Sequence, residues 1–92
     1  MADEVKLHRQ RAIGQEAQRL WENSTIQEFF TEMENDIRED WRGSKDEEHD
    51  LRERTYRKMQ ALEDFKQKFK TRMATGKLAA RELLELEEQK KR

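Results

Sequence analysis

The sequence has no cysteine, no proline, only three glycines and no long apolar run. Without cysteine it forms no disulfide and no thiolate-based metal or redox site, a composition suited to a reducing compartment. Without proline nothing forces a helix to stop, so punctuation falls to the glycines and to Asn/Ser/Thr clusters. No stretch approaches the roughly 18 consecutive apolar residues of a membrane span, and Met1–Gln10 lacks an apolar signal-peptide core. The expected setting is cytoplasmic, away from membranes. Leu, Ile, Val and Phe together number only 16 of 92, low enough to point to disorder if the net charge were also large. It is −1.

What the sequence has in quantity is charge, 45% of its residues against 33% hydrophobic. With so few breakers, this mix describes an all-α chain. At 92 residues it makes a single small helical domain over 1–92, with 1–10 and 88–92 open to fraying. Chains this short often draw on partners for stability.

Two breaks organise the helices. At Glu22-Asn23-Ser24-Thr25, Ser24 stands three residues before Gln27 and Thr25 three before Glu28, both capping-box spacings in which a hydroxyl accepts from a free helix-start N–H. At Arg42-Gly43-Ser44-Lys45, Gly43 suits the left-handed position that ends a helix, and Ser44-x-x-Glu47 suits the opening of the next. Before the first break Val5, Ala12, Ile13, Ala17, Leu20 and Trp21 recur at helical spacing. Between the breaks Ile26, Phe29, Phe30, Met33, Ile37 and Trp41 form the cleanest one-sided stripe. After Gly43 a stripe of Leu51, Thr55, Tyr56, Met59, Leu62, Phe65, Phe69 and Met73 predicts one long helix. Thr75-Gly76-Lys77 interrupts it, and Leu78, Ala79, Leu83, Leu84 and Leu86 suggest a short fourth helix.

The expected architecture is an antiparallel hairpin, a short helix near 24–42 against a long one near 45–74, flanked by N- and C-terminal helices. A helix of about 18 residues covers about 27 Å of a partner about 43 Å long, leaving about 16 Å of apolar stripe bare. The first helix folding back, the last helix turning at Gly76, or a second copy of the chain are the candidates to cover it. The mismatch predicts self-association into an oligomeric bundle through Phe65, Phe69 and Met73, the end the short helix cannot reach. Trp41 and Tyr56 join them as amphipathic rings of the kind that anchor interfaces.

The neutral total hides a charge dipole. Residues 31–50 hold nine acidic and three basic side chains, and residues 51–81 ten basic and three acidic. Antiparallel packing would set these stretches side by side, where exposed pairs help fix register. That solvated, balanced face is the simpler reading of the basic run. The functional reading is phosphate contact by Arg52, Arg54, Arg57, Lys58, Lys66, Lys68, Lys70 and Arg72, although no short recognition helix of a helix-turn-helix accompanies it.

Catalytic chemistry finds little to work with. His8 and His49 fall in exposed turns, and no nucleophile stands beside a base. Asp46, Glu47, Glu48, His49 and Asp50 include one Asp-x-x-His spacing, half of what a di-metal bundle needs, but acidic residues in a first turn are already explained by the helix dipole. Gly76-Lys77 has neither the second glycine nor the preceding strand of a phosphate-binding loop. The expectation is a non-enzyme without cofactor or metal.

Ala17-x-x-Leu20, Asn23-Ser24, Phe29-Phe30, Trp41, Ser44, Arg52-Glu53 and Thr75-Gly76-Lys77-Leu78-Ala79 together resemble a family of small, mostly uncharacterised helical proteins of tailed bacteriophages, encoded near packaging and virion genes. The resemblance covers about residues 17–86 and includes no catalytic motif. It implies a structural, assembly or adaptor protein of the phage head, packaging or neck apparatus. Such a protein would bind itself and another phage or host protein in the host cytoplasm, with incorporation into the virion an open alternative. Two other readings stand beside it: a DNA-binding packaging or regulatory subunit using the basic face 52–72, and an inhibitor presenting the acidic surface 32–50 to a host protein.

Overall fold

Three α-helices and no strand make up the described residues, 3–91, of the computed structural model: α1 (Glu4–Trp21), α2 (Ser24–Gly43) and α3 (His49–Lys91). The chain is all-α. Its helices begin and end on local chemistry that differs in detail from the predicted caps. Asn23, rather than Ser24 or Thr25, caps α2, its Oδ1 accepting from the backbone N–H of Thr25 at 3.0 Å and of Ile26 at 3.1 Å. An extended residue with a short side-chain oxygen is what this position needs, and Asn23 supplies both.

At the second break Gly43 ends α2, yet no glycine has positive φ, so the predicted left-handed cap is not used. Ser44 does not open α3 either. Its hydroxyl donates to the Trp41 carbonyl at 2.6 Å and accepts from Arg52 Nε at 2.9 Å, so it closes α2 and tethers the turn to α3. The start of α3 is arranged one residue later: Lys45 N–H donates to Glu48 Oε1 at 3.0 Å and Glu48 N–H to the Lys45 carbonyl at 2.9 Å.

The largest departure is the absence of a break at Thr75-Gly76-Lys77. The long helix predicted for 45–74 and the separate fourth helix are one continuous α3 of 43 residues. Gly76 starts no helix. It is the point of closest approach to α1: a Cβ on Gly76 would stand 2.7 Å from the Cα of Gly14, and one on Gly14 2.7 Å from the Cα of Gly76 and 2.9 Å from the Arg72 carbonyl. Both positions require glycine because backbone lies against backbone.

By its contacts the chain divides into two units, one of residues up to Trp21 with residues from Lys68 onward, the other of Glu22–Gln67. In the first, α1 meets α3 in reverse order, Glu4 with Lys90 at 2.8 Å, Gly14 with Gly76, Trp21 with Phe69 at 5.7 Å between rings. Leu7, Ala79 and Leu83 form its small buried core, with Leu86 against it. The apolar stripe expected for the first helix holds at its end, where Ala17 is buried and Leu20 and Trp21 half-buried, but not at its start: Val5 is 77% exposed and Ala12 and Ile13 are exposed, while Leu7 and Gly14 are buried. The last predicted stripe divides likewise, Ala79 and Leu83 inside, Leu78 and Leu84 outside.

In the second unit α2 meets α3 in reverse order too, Trp41 beneath the Arg52 guanidinium at 5.2 Å and Phe30 against the edge of Phe65 at 6.0 Å. Phe30, Ile37, Thr55 and Leu62 are buried there. Between them Glu34 accepts from Lys66 at 2.6 Å, each side chain 23% exposed.

Within each helix burial recurs by sevens. In α3 Thr55, Leu62, Gly76 and Leu83 are buried and Phe69 half-buried; three residues before each stand Arg52, Met59, Lys66, Met73 and Ala80, all half-buried. Leu7, Gly14 and Trp21 repeat the interval in α1, Phe30, Ile37 and Ser44 across α2 and its cap. Alternating steps of three and four are the seam of a left-handed coiled coil. A seam this narrow leaves other apolar residues of a wide stripe in water.

Candidate protein-interaction site

Every buried side-chain nitrogen or oxygen among the described residues has a partner, so no buried polar group awaits a ligand. No group of three or more His, Asp or Glu among those residues is arranged around a common metal position. His8 Nδ1 lies 3.2 Å from the Arg11 guanidinium, and His49 is exposed at the start of α3. What the chain does present is apolar surface, concentrated on both sides of the α2–α3 seam in Glu22–Gln67.

One side is a depression of about 460 Å³. Its floor is Phe30, Ile37 and Leu62, its walls are Met33 on α2 and Phe65 on α3, and Asp36, Asp40 and Lys58 edge it. Met33 and Phe65 each leave about half of their surface in water, as does Phe29 one turn before Met33. Asp40 and Lys58 border the same depression without an ion pair to each other or to any other described residue. The two helices thus bring opposite charges to its rim, acid from α2 and base from α3.

The other side is a depression of about 300 Å³ lined by Ile37, Trp41, Tyr56 and Met59, with Arg38 and Arg42 at its edge. Trp41 is 45% and Tyr56 59% exposed. Tyr56 Oη accepts from Gln60 at 3.1 Å, and one face of Trp41 is taken by Arg52. Arg52 itself is held by Asp46 at 3.1 Å and by the Ser44 hydroxyl and carbonyl.

Of the residues assigned to an interface from sequence, Trp41, Tyr56 and Phe65 lie at these two depressions. Phe69 and Met73 belong to the other unit, where α1 is the element that reaches the stretch of α3 expected to be bare. Phe69 packs on Trp21, and Met73 lines a shallow recess with Gly14, Gln18 and Gly76. Among the basic residues, Arg52, Arg57 and Lys66 pair with Asp46, Glu53 and Glu34, and Lys70 stands 5.7 Å over the Trp21 ring. Arg54, Lys58, Lys68 and Arg72 are exposed and bonded to no described carboxylate. Phe29 and Met33, which their spacing placed on the apolar stripe, are surface residues; the signal is an α2 stripe wider than a seam, with Phe29 and Met33 four apart beside Phe30 and Ile37 seven apart.

Four exposed groups titrate away from their ordinary values. Glu4 is held below the usual carboxylate range by its hydrogen bond from Lys90 and by that cation's charge, and Lys90 is raised by the same bond. Glu16 is lowered and Arg19 raised by the hydrogen bond they share within α1. None lies near the depressions, so these shifts concern helix packing and not ligand chemistry. Compared with protein families, curated proteins and solved structures, the chain matches none. No helix is long and apolar enough to cross a membrane among the described residues.

Proposed function

We propose that the chain is a non-enzymatic assembly adaptor that works by helix–helix association, first with a second copy of itself. The observation that carries this reading is the Met33–Phe65 depression, apolar at its centre and edged by acid on one helix and base on the other. A two-fold axis along the helices sets α2 of one copy beside α3 of the next. It brings Met33 to the second copy's Phe65 and Asp40 to the second copy's Lys58, twice over. A surface complementary to its own rotated image needs no other partner. The hairpin of α2 and α3 becomes half of a four-helix bundle, the oligomeric form that a small, charge-rich chain needs to bury more apolar area.

The resemblance of residues 17–86 to small tailed-phage proteins supports placing that bundle in head, packaging or neck assembly, formed in the host cytoplasm. The alternative of DNA contact along 52–72 has less support, because Arg52, Arg57 and Lys66 are occupied by carboxylates of the chain itself.

Light scattering after size exclusion tests the association. At concentrations where the copies associate, the expected mass is twice 11.3 kDa. Asp40→Lys sets like charges against Lys58 and lowers the mass to one chain, and adding Lys58→Asp restores it. A wild-type mass of one chain at every concentration, or an Asp40→Lys variant that still assembles, overturns the proposal.

A further inference from the structure

The second depression, Ile37–Trp41–Tyr56–Met59, does not fit the rule that makes the first self-complementary. Both rim charges belong to α2 and both are cations, Arg38 and Arg42. Arg42 is bonded to no described residue. Arg38 donates to the neutral Asn35 Oδ1 at 3.4 Å and reaches a carboxylate, Glu34, only at 4.0 Å, while the other oxygen of that carboxylate is committed to Lys66 at 2.6 Å. Glu63, one heptad beyond Tyr56 on the same edge of α3, does not line the depression. A second copy rotated onto this side about the same axis would set Arg38 and Arg42 against its α3, whose share of the lining, Thr55, Tyr56 and Met59, offers no carboxylate to pair them. Its two aromatic walls, Trp41 and Tyr56, nevertheless leave about half of their surface in water above buried Ile37 and half-buried Met59.

We propose that this side of the α2–α3 pair is a docking site for an acidic amphipathic helix of another protein. The partner would place a large apolar side chain between Trp41 and Tyr56 and its carboxylates on Arg38 and Arg42. The two arginines stand four residues apart on one helix, about 6 Å along its axis. A partner helix alongside α2 offers carboxylates at the same four-residue interval, and a guanidinium takes a carboxylate in a paired, two-bond geometry. A helix that lays an apolar stripe into a groove while its flanking charges match the rim is a common recognition mode. Stacked bases of a single nucleic-acid strand fit less well. The Arg52 guanidinium already covers one face of Trp41, and of the residues beneath, Ile37, Met59 and Thr55, the one hydroxyl spends its proton on the Leu51 carbonyl at 2.8 Å.

Two synthetic helical peptides of about 18 residues, about 27 Å long, provide the probe. They share one leucine and phenylalanine stripe, with glutamate on the polar face of one and lysine on that of the other. Titrated into the full chain under amide and methyl NMR, the glutamate peptide is expected to shift Ile37, Trp41, Tyr56 and Met59. It should bind about tenfold more tightly than the lysine peptide, and more weakly as salt rises. In the Arg38→Glu/Arg42→Glu variant the preference reverses. Both arginines are exposed, so the helical circular dichroism of that variant should match wild type.

Equal affinity for the two peptides overturns the proposal, as does a preference that survives the charge reversal or the absence of shifts at millimolar peptide. Shifts confined to Met33 and Phe65 overturn it too, since they assign the peptide to the self-association side. A single-stranded oligothymidylate that shifts the same four residues at lower concentration than the glutamate peptide replaces the helix with a nucleic acid.

Discussion

Glycine has opposite meanings at two positions of this chain. Gly76 sits in mid-helix, where it costs about 1 kcal/mol relative to alanine, because only a hydrogen at Cα lets α3 touch Gly14 of α1. A methyl group added at Gly43 would meet nothing within 4 Å, and the backbone there has no positive φ. Gly76→Ala should therefore lower stability by about 1–3 kcal/mol despite its better helix propensity. Gly43→Ala should raise stability by about 0.4–1 kcal/mol by narrowing the unfolded ensemble. Urea unfolding of the two variants checks both signs; a destabilised Gly43→Ala would argue for a left-handed turn at that position after all.

Glu4 provides a second test at this scale. Its carboxyl is held below 4.5 by the hydrogen bond from Lys90. The link between α1 and α3 that depends on this charge is thus complete above about pH 4.5 and lost as pH falls through the lowered value. At the other end Lys90 is raised above 10.5, so its contribution is complete below that value and lost only as pH rises through the raised one. An NMR titration of the Glu4 side chain in wild type and in Lys90→Met checks the cause. The midpoint should return toward 4.5 when the cation is removed.

Among the elements, the seam between α2 and α3 contains an ion pair where a coiled coil would accept leucine. Glu34 and Lys66, each 23% exposed, meet at 2.6 Å between buried Phe30 and Leu62. Removing one partner should cost more than removing both. Lys66→Leu leaves a half-buried carboxylate and is expected to destabilise by about 1–3 kcal/mol. Glu34→Leu/Lys66→Leu is expected to be neutral or stabilising, with register no longer specified by charge. Thermal unfolding gives the first comparison. A broadened or doubled set of NMR signals in the double variant reports the second.

Across the full chain the charge is close to neutral, yet its distribution edges one apolar side with acid and base and the other with cations alone. The two proposed associations would be electrostatic in selectivity and apolar in driving force. The assembled mass should fall as protein is diluted, and the dilution needed should become smaller as salt screens Asp40 and Lys58 over about 8–10 Å. A mass indifferent to salt would mean that Met33, Phe65 and Phe29 suffice without the charges.

The helical class and the neighbourhoods of the two breaks, near 22–25 and 42–48, were legible along the chain. Helix periodicity, caps and turns are set by residues within about four of each other, so their signals are local. The same periodicity marked α2 as the most amphipathic stretch. Three outcomes came only with folding: α3 runs through Gly76, Leu7 and Gly14 rather than Val5 and Ala12 face inward, and Phe29, Met33 and Tyr56 remain in water. Each of them depends on a second helix. A glycine becomes a contact instead of a break only when another backbone lies within reach, and a stripe divides into seam and surface only when a partner narrower than the stripe is laid on it.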